Sequence, residues 1–349
     1  MNKVLDFKSF SKKGLNILIA GDIMMSPDMF EYIAKGNDPF KFLRKFFAGY
    51  DICIGNLETT FSGSDSGFPK FSSDDNYARL IKRYFQVVFT ANNHCHDFGD
   101  SGIIRTIKTL DKEDILFVGT KKPGDRRNSL DVDVNDHDVT LLSYTTRVNG
   151  EESGSEESGE RFLDYTSKED TKELISFYDK DKVDKEIQSA KTRSDIVIVS
   201  IHGGDEYDSE KNQEQEARIL NAIRHGADLV IGSHPHVFQG GFLRNDSYGV
   251  YSLGNFISNQ DKLYDRDSGC IFLVKIDPMG EKTYSFLPIC TFMHPENGPM
   301  VLPLSLIEQG YFPFIKGADR KNLFDVLGDT RKIMIAQGLT EEPFYSHLI

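Results

Sequence analysis

The sequence has few cysteines, and they form no recognisable motif. The four are Cys53, Cys95, Cys270 and Cys290, with neither a CxxC pair nor the spacing of a zinc ribbon. Cys53 and Cys270 lie within apolar runs, where a cysteine behaves as a small hydrophobic side chain. The sequence therefore indicates no thiol-based metal or redox site, and nothing in it requires an oxidising compartment.

Long apolar runs are also lacking. No run approaches the ~20 residues that cross a bilayer. The first stretch, Met1–Lys13, is charged and has no apolar core of the kind found in a signal peptide. We therefore expect a soluble, cytoplasmic protein without a membrane span.

Basic residues are outnumbered by acidic ones. The chain has 41 Lys and Arg against 54 Asp and Glu, a formal net charge of −13. Nucleic acid is not an expected partner, because neutralising phosphates takes clustered Lys and Arg. The expected partner is a small-molecule or polyanionic substrate, and a polyanion would need a metal-centred or arginine-lined groove to offset the acidic balance.

Several continuous apolar runs are present, and they predict the fold class. The clearest are at residues 16–20 and 195–201, which lack the alternation of half-exposed strands. Such runs suit strands buried on both faces of a parallel sheet, so we predict an α/β fold. The Gly/Ser/Glu tract at residues 150–160 cannot build a core, and we predict a mobile acidic loop there.

Short polar clusters follow the apolar runs at six places. Asp22 precedes Glu58 by 36 positions, Glu58 precedes Asn93 by 35, and His202 precedes His234 by 32. A βαβ unit takes about 30 residues or more. We therefore expect the clusters at the carboxyl ends of successive strands, where open α/β sheets bind ligands.

The residue types in these clusters predict a metal site. Pro235 stiffens the turn between His234 and His236, which lowers the entropy lost in aiming both rings at one point. Mixed oxygen and imidazole ligands favour Mn, Fe or Zn over Mg or Ca. Their number suits two ions ~3.5–4 Å apart that share a carboxylate. The alternative is a binding protein whose polar strand ends only cap helices and satisfy turns.

The ordered set of motifs resembles the CapA family of capsule, or poly-γ-glutamate, synthesis proteins within the calcineurin-like metallophosphoesterase superfamily. The resemblance covers about residues 16–259. It is carried by Gly21-Asp22, Asn56-Leu57-Glu58, Ala91-Asn92-Asn93-His94 with Asp97 and Gly99, His202-x-Gly-x-Glu206-Tyr207, Gly232-Ser-His-Pro-His236 and Ser252-Leu-Gly-Asn-Phe256.

The resemblance implies a metallophosphatase-like four-layer sandwich of mixed β-sheets flanked by helices. We expect this domain at residues 1–292, and a C-terminal extension at 293–349 packed on it. It also implies a place in the capsule-synthesis machinery.

The resemblance further implies a role for each motif residue. Asp22 and His236 would hold the first of two divalent ions, Glu58 would bridge both, and Asn93, His202 and His234 would hold the second. His94 would be the catalytic general acid, off the metals. The residues expected behind the ligands or facing the substrate are Asn56, Asp97, Glu206 and Asn255.

One departure from the family pattern concerns the first motif. Calcineurin-like enzymes usually have Asp-x-His there, and this chain has Met24 in place of the histidine. The functional hypothesis is hydrolysis of a phosphoester or amide by metal-activated water, with His94 protonating the leaving atom. Two alternatives stay open: a phosphoesterase unrelated to capsule, and a non-catalytic metal-binding member of the family.

Overall fold

A computed structural model describes residues 13–63, 66–149, 173–258 and 267–345. The acidic loop predicted at residues 150–160 lies outside these ranges. The strands, in chain order, are β1 (Leu15–Ile23), β2 (Ile52–Leu57), β3 (Val87–Phe89), β4 (Leu116–Val118), β5 (Ser129–Val134), β6 (His137–Thr145), β7 (Ile196–His202), β8 (Leu229–Ser233), β9 (Phe238–Arg244), β10 (Ser247–Leu253), β11 (Asn255–Ile257), β12 (Ser268–Ile276), β13 (Lys282–His294) and β14 (Gly298–Pro303).

Helices connect these strands. In chain order they are α1 (Pro27–Ala34), α2 (Arg44–Phe47), α3 (Asp75–Lys82), α4 (Gly99–Lys112), α5 (Lys180–Lys191), α6 (Gln213–Arg224), α7 (Leu304–Glu308) and α8 (Gly317–Ala336), with short 3₁₀ turns at Lys41–Leu43 and Asn93–His96.

The strands form two mixed sheets. The first has the order β14-β13-β12-β1-β2-β3-β4, with β11 paired to the end of β1, and the second has the order β5-β6-β7-β8-β10-β9. Strands β1 to β4 are mutually parallel, as are β6, β7, β8 and β10. Antiparallel strands lie at the flanks of each parallel group. The parallel strands predicted from continuous apolar runs are thus present in both sheets.

The core explains why the central strands are apolar on both faces. In β1, Ile17 and Ile19 pack against strands of the second sheet, in the cluster that includes Ile198. Leu18, between them, points the other way into the cluster formed with α1, α3 and α8. The outer face of the second sheet packs against α5 and α6. The layers run helix, sheet, sheet, helix, which confirms the predicted four-layer α/β sandwich.

The segment after residue 292 shares this core. Strand β13 runs through the predicted domain boundary, and β14 continues the first sheet. Leu323 and Leu327 of α8 pack into the same cluster as Leu18. The division into residues 1–292 and 293–349 stays a prediction. Within the described ranges, no helix has the length and apolarity to cross a membrane.

Strand register brings the polar strand ends together. In the first sheet Asp22 lies opposite both Asn56 of β2 and Asn255 of β11. In the second sheet His202, at the end of β7, lies opposite Thr145 of β6 and Ser233 of β8. The carboxyl ends of the parallel strands therefore form one polar edge in each sheet.

Candidate metal centre

The six predicted metal ligands are all buried. They lie on or just after strands of both sheets, and the exposed fraction of each is 2% or less: Asp22, Glu58, Asn93, His202, His234 and His236. The two sheets meet directly here, since the backbone N–H of His234 donates to Asp22 Oδ2 at 3.4 Å. Buried carboxylates and imidazoles need partners, and these side chains face one another.

Glu58 is common to two groups of side chains that could hold a metal ion. Asp22, Glu58 and His202 form one group, and Glu58, His234 and His236 form the other, each with its ligand atoms within 4.8 Å of one another. Glu58 Oε1 lies 3.5 Å from His202 Nε2 and 3.8 Å from His236 Nε2. A carboxylate placed in this way can serve two cations at once.

The turn after β8 holds its histidines in an unusual backbone conformation. His234 has φ +102° and His236 has φ +59°, a region that non-glycine residues rarely adopt and that costs ~1–3 kcal/mol for each residue. The carbonyl of Pro235, between them, accepts a hydrogen bond from the N–H of Tyr207 at 2.8 Å. Gly232, just before this turn, allows β8 to lie close to the backbone of β10, because a Cβ at Gly232 would lie 2.0 Å from the Tyr251 carbonyl oxygen. Strain of this kind concentrates at functional sites.

Hydrogen bonds orient the imidazole rings. His236 Nδ1 lies 3.0 Å from Asn255 Oδ1, which leaves Nε2 facing Glu58. His202 Nδ1 lies 2.9 Å from Ser233 Oγ, and its Nε2 lies 2.7 Å from Asn93 Oδ1. Metal-binding histidines usually have their second nitrogen engaged in this way. Asn255 was predicted in this supporting position and Ser233 was not, although it stands beside His234 in the sequence.

The electrostatics of the cluster keep two imidazoles neutral and disfavour the charged form of one carboxyl group. Burial lowers the pKa of His202 to about 3 and lowers that of His234 well below its usual value. Burial also raises the pKa of Glu58 well above its usual value, and the Asp22 charge raises it further. Neutral imidazole is the form that binds metals.

Asp22 and His236 behave differently because they are paired. Their Oδ2 and Nδ1 atoms lie 3.4 Å apart. Burial by itself would raise the pKa of Asp22, but the hydrogen bond and charge of His236 outweigh it and lower that pKa. Burial would likewise lower the pKa of His236, and Asp22 raises it instead. Asp22 is therefore ionised near neutral pH.

Two buried atoms in the cluster have unsatisfied hydrogen-bonding capacity. Glu58 Oε1 and His234 Nδ1 make no hydrogen bond to any residue within the described ranges. An unsatisfied buried polar group costs ~1–3 kcal/mol. Glu58 and His234 belong to one group that could hold a divalent cation, which would take up such capacity, so the residues present fit a metal ion.

His94 lies beside this cluster and outside both ligand groups. Its Nδ1 lies 2.8 Å from Asp97 Oδ2, and its ring stands edge-on to Phe71 with the centroids 4.7 Å apart. Asp97 Oδ2 also accepts from the backbone N–H of Phe71 at 2.7 Å. The carboxylate thus fixes the ring and leaves Nε2 as the nitrogen that can exchange a proton.

The other predicted residues also lie close to the ligands. Asn56 Nδ2 donates to Asp22 Oδ1 at 2.8 Å. Glu206 Oε1 lies 3.6 Å from His234 Nε2. Met24, which stands where the family pattern has histidine, is 2% exposed, and its carbonyl accepts from the Tyr77 hydroxyl at 2.9 Å.

Two residues that follow β6 complete the surroundings. Asn149 Nδ2 lies 3.0 Å from His94 Nδ1, and the Asn149 backbone N–H donates to the Asn93 carbonyl at 2.8 Å. The guanidinium of Arg147 contacts His234 Nε2. The sequence analysis did not predict Asn149 for the site. The available signal was that it follows a strand, as the other site residues do.

An α/β sandwich with buried carboxylates and imidazoles gathered at its strand ends defines a protein with a candidate divalent-metal centre. Comparison with protein families matches residues 16–260 to the model of the bacterial capsule synthesis protein family PGA_cap. The chain belongs to this family, which confirms the membership expected from its motifs. The calcineurin-like metallophosphoesterase superfamily is consistent with this result.

Two curated relatives support the family. The capsule biosynthesis protein CapA of Bacillus anthracis is 27% identical over 284 residues, which cover 77% of this chain and 66% of the relative. The PGA biosynthesis protein CapA of Bacillus subtilis (strain 168) is 29% identical over 280 residues, which cover 76% and 68%. This chain thus spans about two thirds of the length of each relative.

A solved structure also shows a distant likeness. A hypothetical protein from Thermus thermophilus aligns with a TM-score of 0.49 and 13% identity, covering 83% of this chain and 99% of that one. Likeness at this level carries no argument about function.

Proposed function

We propose that this protein is a CapA-type, metal-dependent hydrolase that acts in capsule or poly-γ-glutamate synthesis. We further propose that two divalent ions, of manganese, iron or zinc, bind on either side of Glu58. The observation that carries the proposal is the sharing of Glu58 between two buried ligand groups. A carboxylate between two ions is typical of metal-assisted displacement reactions.

The ions and the side chains around them would have different roles in the reaction. When bound, divalent ions would make a water molecule more acidic and polarise the scissile bond. His94 would protonate the leaving oxygen or nitrogen through Nε2, because Asp97 engages Nδ1 at 2.8 Å. Asn149, whose Nδ2 donates to Asp97 Oδ1 at 3.4 Å, and Phe71 would hold the His94–Asp97 pair in place. The substrate bond is a phosphoester or an amide.

A second candidate, a metal-binding protein without catalysis, is favoured by one observation. Met24 is buried where the family pattern has a histidine, and a thioether is a poor ligand for hard divalent ions. An ion held by Asp22 would then have one ligand fewer. The number of ions held at saturation, together with turnover, separates the two candidates.

The experiment is reconstitution followed by an activity panel. Protein stripped with a chelator is reloaded with Mn²⁺, Fe²⁺ or Zn²⁺, and the bound metal is counted by elemental analysis. Each form is then assayed against aryl phosphoesters and γ-glutamyl anilides. The proposal expects two ions per chain and metal-dependent turnover of one substrate class.

The matched variant for this panel is His94→Gln. It should keep the bound metal and lose about 10²–10⁴-fold in turnover. Metal-loaded wild-type protein that hydrolyses no compound in the panel would support the non-catalytic candidate. If His94→Gln turned over substrate at the wild-type rate, only the proposed role of His94 would be contradicted.

A further inference from the structure

The position of Arg147 is fixed by its backbone. It lies two residues beyond the end of β6, and the hydroxyl of Thr145 donates to the Arg147 carbonyl at 2.6 Å. The Arg147 N–H in turn donates to the Thr145 hydroxyl at 3.4 Å. This turn directs the half-buried side chain towards the metal centre, where the guanidinium contacts His234 Nε2.

The surroundings of this cation are acidic. Glu58 belongs to one ligand group with His234, and Glu206 Oε1 lies 3.6 Å from the same His234 nitrogen that Arg147 contacts. The whole chain carries a net charge of −13. An anionic substrate would be repelled by such a surface, so it needs local positive charge at the site.

Metal binding and the contact between Arg147 and His234 exclude each other. His234 Nδ1 is the buried ring nitrogen without a hydrogen-bond partner in the described part of the chain. If Nδ1 binds the metal, Nε2 of the neutral ring carries the proton, and if Nε2 binds it, the metal takes the lone pair of that nitrogen. In either case Nε2 cannot accept from a guanidinium, so this contact of Arg147 is lost when the metal binds.

Two side chains beside the histidines of the centre reach solvent. The Glu206 side chain is 18% exposed and Tyr207 is 39% exposed, whereas every predicted metal ligand is 2% exposed or less. A guanidinium presents parallel N–H donors that match the two oxygens of a carboxylate or phosphate. A substrate entering from this side would meet that fork beside the ions.

We propose that Arg147 binds an oxyanion of the substrate, a phosphate or a carboxylate, adjacent to the metal centre. This inference rests on the proposed function only in requiring that divalent ions bind there. It assigns Arg147 to substrate recognition and not to metal binding.

The test measures binding and not turnover. Wild-type protein and the variants Arg147→Gln and Arg147→Lys are loaded with Mn²⁺ and freed of excess metal. Calorimetry then gives their affinities for inorganic phosphate in one arm and for the dicarboxylate glutarate in the other. Arg193→Gln is the matched control, because Arg193 pairs with Asp131 on β5 and contacts none of the residues named at the centre.

Arg147→Gln should weaken binding about 10- to 100-fold in at least one arm, the loss expected for a charged hydrogen bond. The arm that changes identifies the oxyanion. Arg147→Lys keeps the positive charge but not the parallel N–H donors, so its affinity for the anion should fall by a smaller factor. This variant provides the test if Arg147→Gln does not fold.

Unchanged affinity in both arms for every folded Arg147 variant would overturn the inference, as would an equal loss in Arg193→Gln. A loss explained by lower Mn²⁺ content would also overturn it, because Arg147 would then only support the metal site. Absence of turnover with any substrate would count against the hydrolase proposal and would leave this result unaffected.

Discussion

Replacing Glu58 by glutamine should stabilise the metal-free protein. The Glu58 side chain is fully buried, and its Oε1 makes no hydrogen bond to a described residue. Burial raises the pKa of this carboxyl group well above its usual value, and the charges of Asp22 and Glu206 raise it further. Glutamine keeps the shape of the side chain and removes the charge that the folded protein disfavours.

The sign of this effect follows from proton linkage. Because the pKa is higher in the folded than in the unfolded protein, the unfolded chain releases the proton first as the pH rises. The carboxyl group is therefore neutral to stability in acid and destabilises the fold as the pH climbs towards its raised pKa. The size follows from burial, since an unsatisfied buried polar group costs about 1–3 kcal/mol. We expect Glu58→Gln to raise the free energy of unfolding by about this much at neutral pH.

The same substitution should have the opposite consequence once metal is added. A ligand at 100 times its Kd stabilises the folded state by about 2.7 kcal/mol. Glu58 belongs to both ligand groups, so the variant should gain little from Mn²⁺. With chelator, the Glu58→Gln variant should be the more stable protein. With saturating Mn²⁺, the wild type should become about as stable as the variant or more stable.

Urea unfolding at neutral pH, with chelator or with Mn²⁺, measures both effects. Asp228→Asn is the matched control, because Asp228 is also buried but is paired with Lys191 at 2.7 Å and Lys282 at 3.2 Å. The Asp228→Asn substitution should lower the free energy of unfolding equally with chelator and with Mn²⁺. A metal-free Glu58→Gln protein less stable than wild type, with an unchanged gain from Mn²⁺, would contradict this prediction.

Three further predictions concern the surroundings of the ligands. Acidification should weaken Mn²⁺ binding in calorimetric titrations. Because the pKa values of Glu58 and His236 are raised, protons compete with the metal for these groups at a higher pH than usual. An Mn²⁺ affinity that does not depend on pH would contradict this. Asn149→Ala should keep bound metal and lose up to about tenfold in turnover, whereas Asn135→Ala, at a distant turn, should lose none. Met24→His should tighten Mn²⁺ binding by about tenfold, and an unchanged affinity would show that position 24 is not adjacent to an ion.

The sequence predicts the central strands well because they are buried on both faces. The run at residues 195–201 is strand β7, at Ile196–His202, and the run at 16–20 lies inside β1. Elements defined by local turns were harder to predict. The run at residues 248–256 divides into β10 and β11, because Gly254 between them takes φ +68°.

Helix boundaries also depended on local contacts. The charged pattern at residues 170–190 predicts an amphipathic helix there, of which residues 170–172 lie outside the described ranges. In the structure α5 begins at Lys180, because the Asp179 side chain caps it by accepting from the Lys182 N–H at 3.0 Å. Helix α1 was not predicted, although Pro27 and Asp28 are suitable residues for a first turn.

The residues proposed as metal ligands could be predicted from the sequence more readily than the residues around them. Asp22, Glu58 and His202 follow apolar runs at regular spacing, and their convergence is a consequence of parallel strands. Arg147 and Asn149 follow β6, whose alternating sequence indicates a strand near a sheet edge. Strand β6 is the second strand from the edge of its sheet, and its parallel pairing with β7 brings the residues after it to the centre.

A crystal structure of the Mn²⁺-loaded protein with anomalous scattering data would show whether these side chains bind metal ions. We expect two anomalous peaks on either side of Glu58, each about 2.0–2.2 Å from its carboxylate, with His202 near one and His236 near the other. Peaks that lie elsewhere, or their absence under saturating Mn²⁺, would contradict the claim that these strand ends form a shared metal centre.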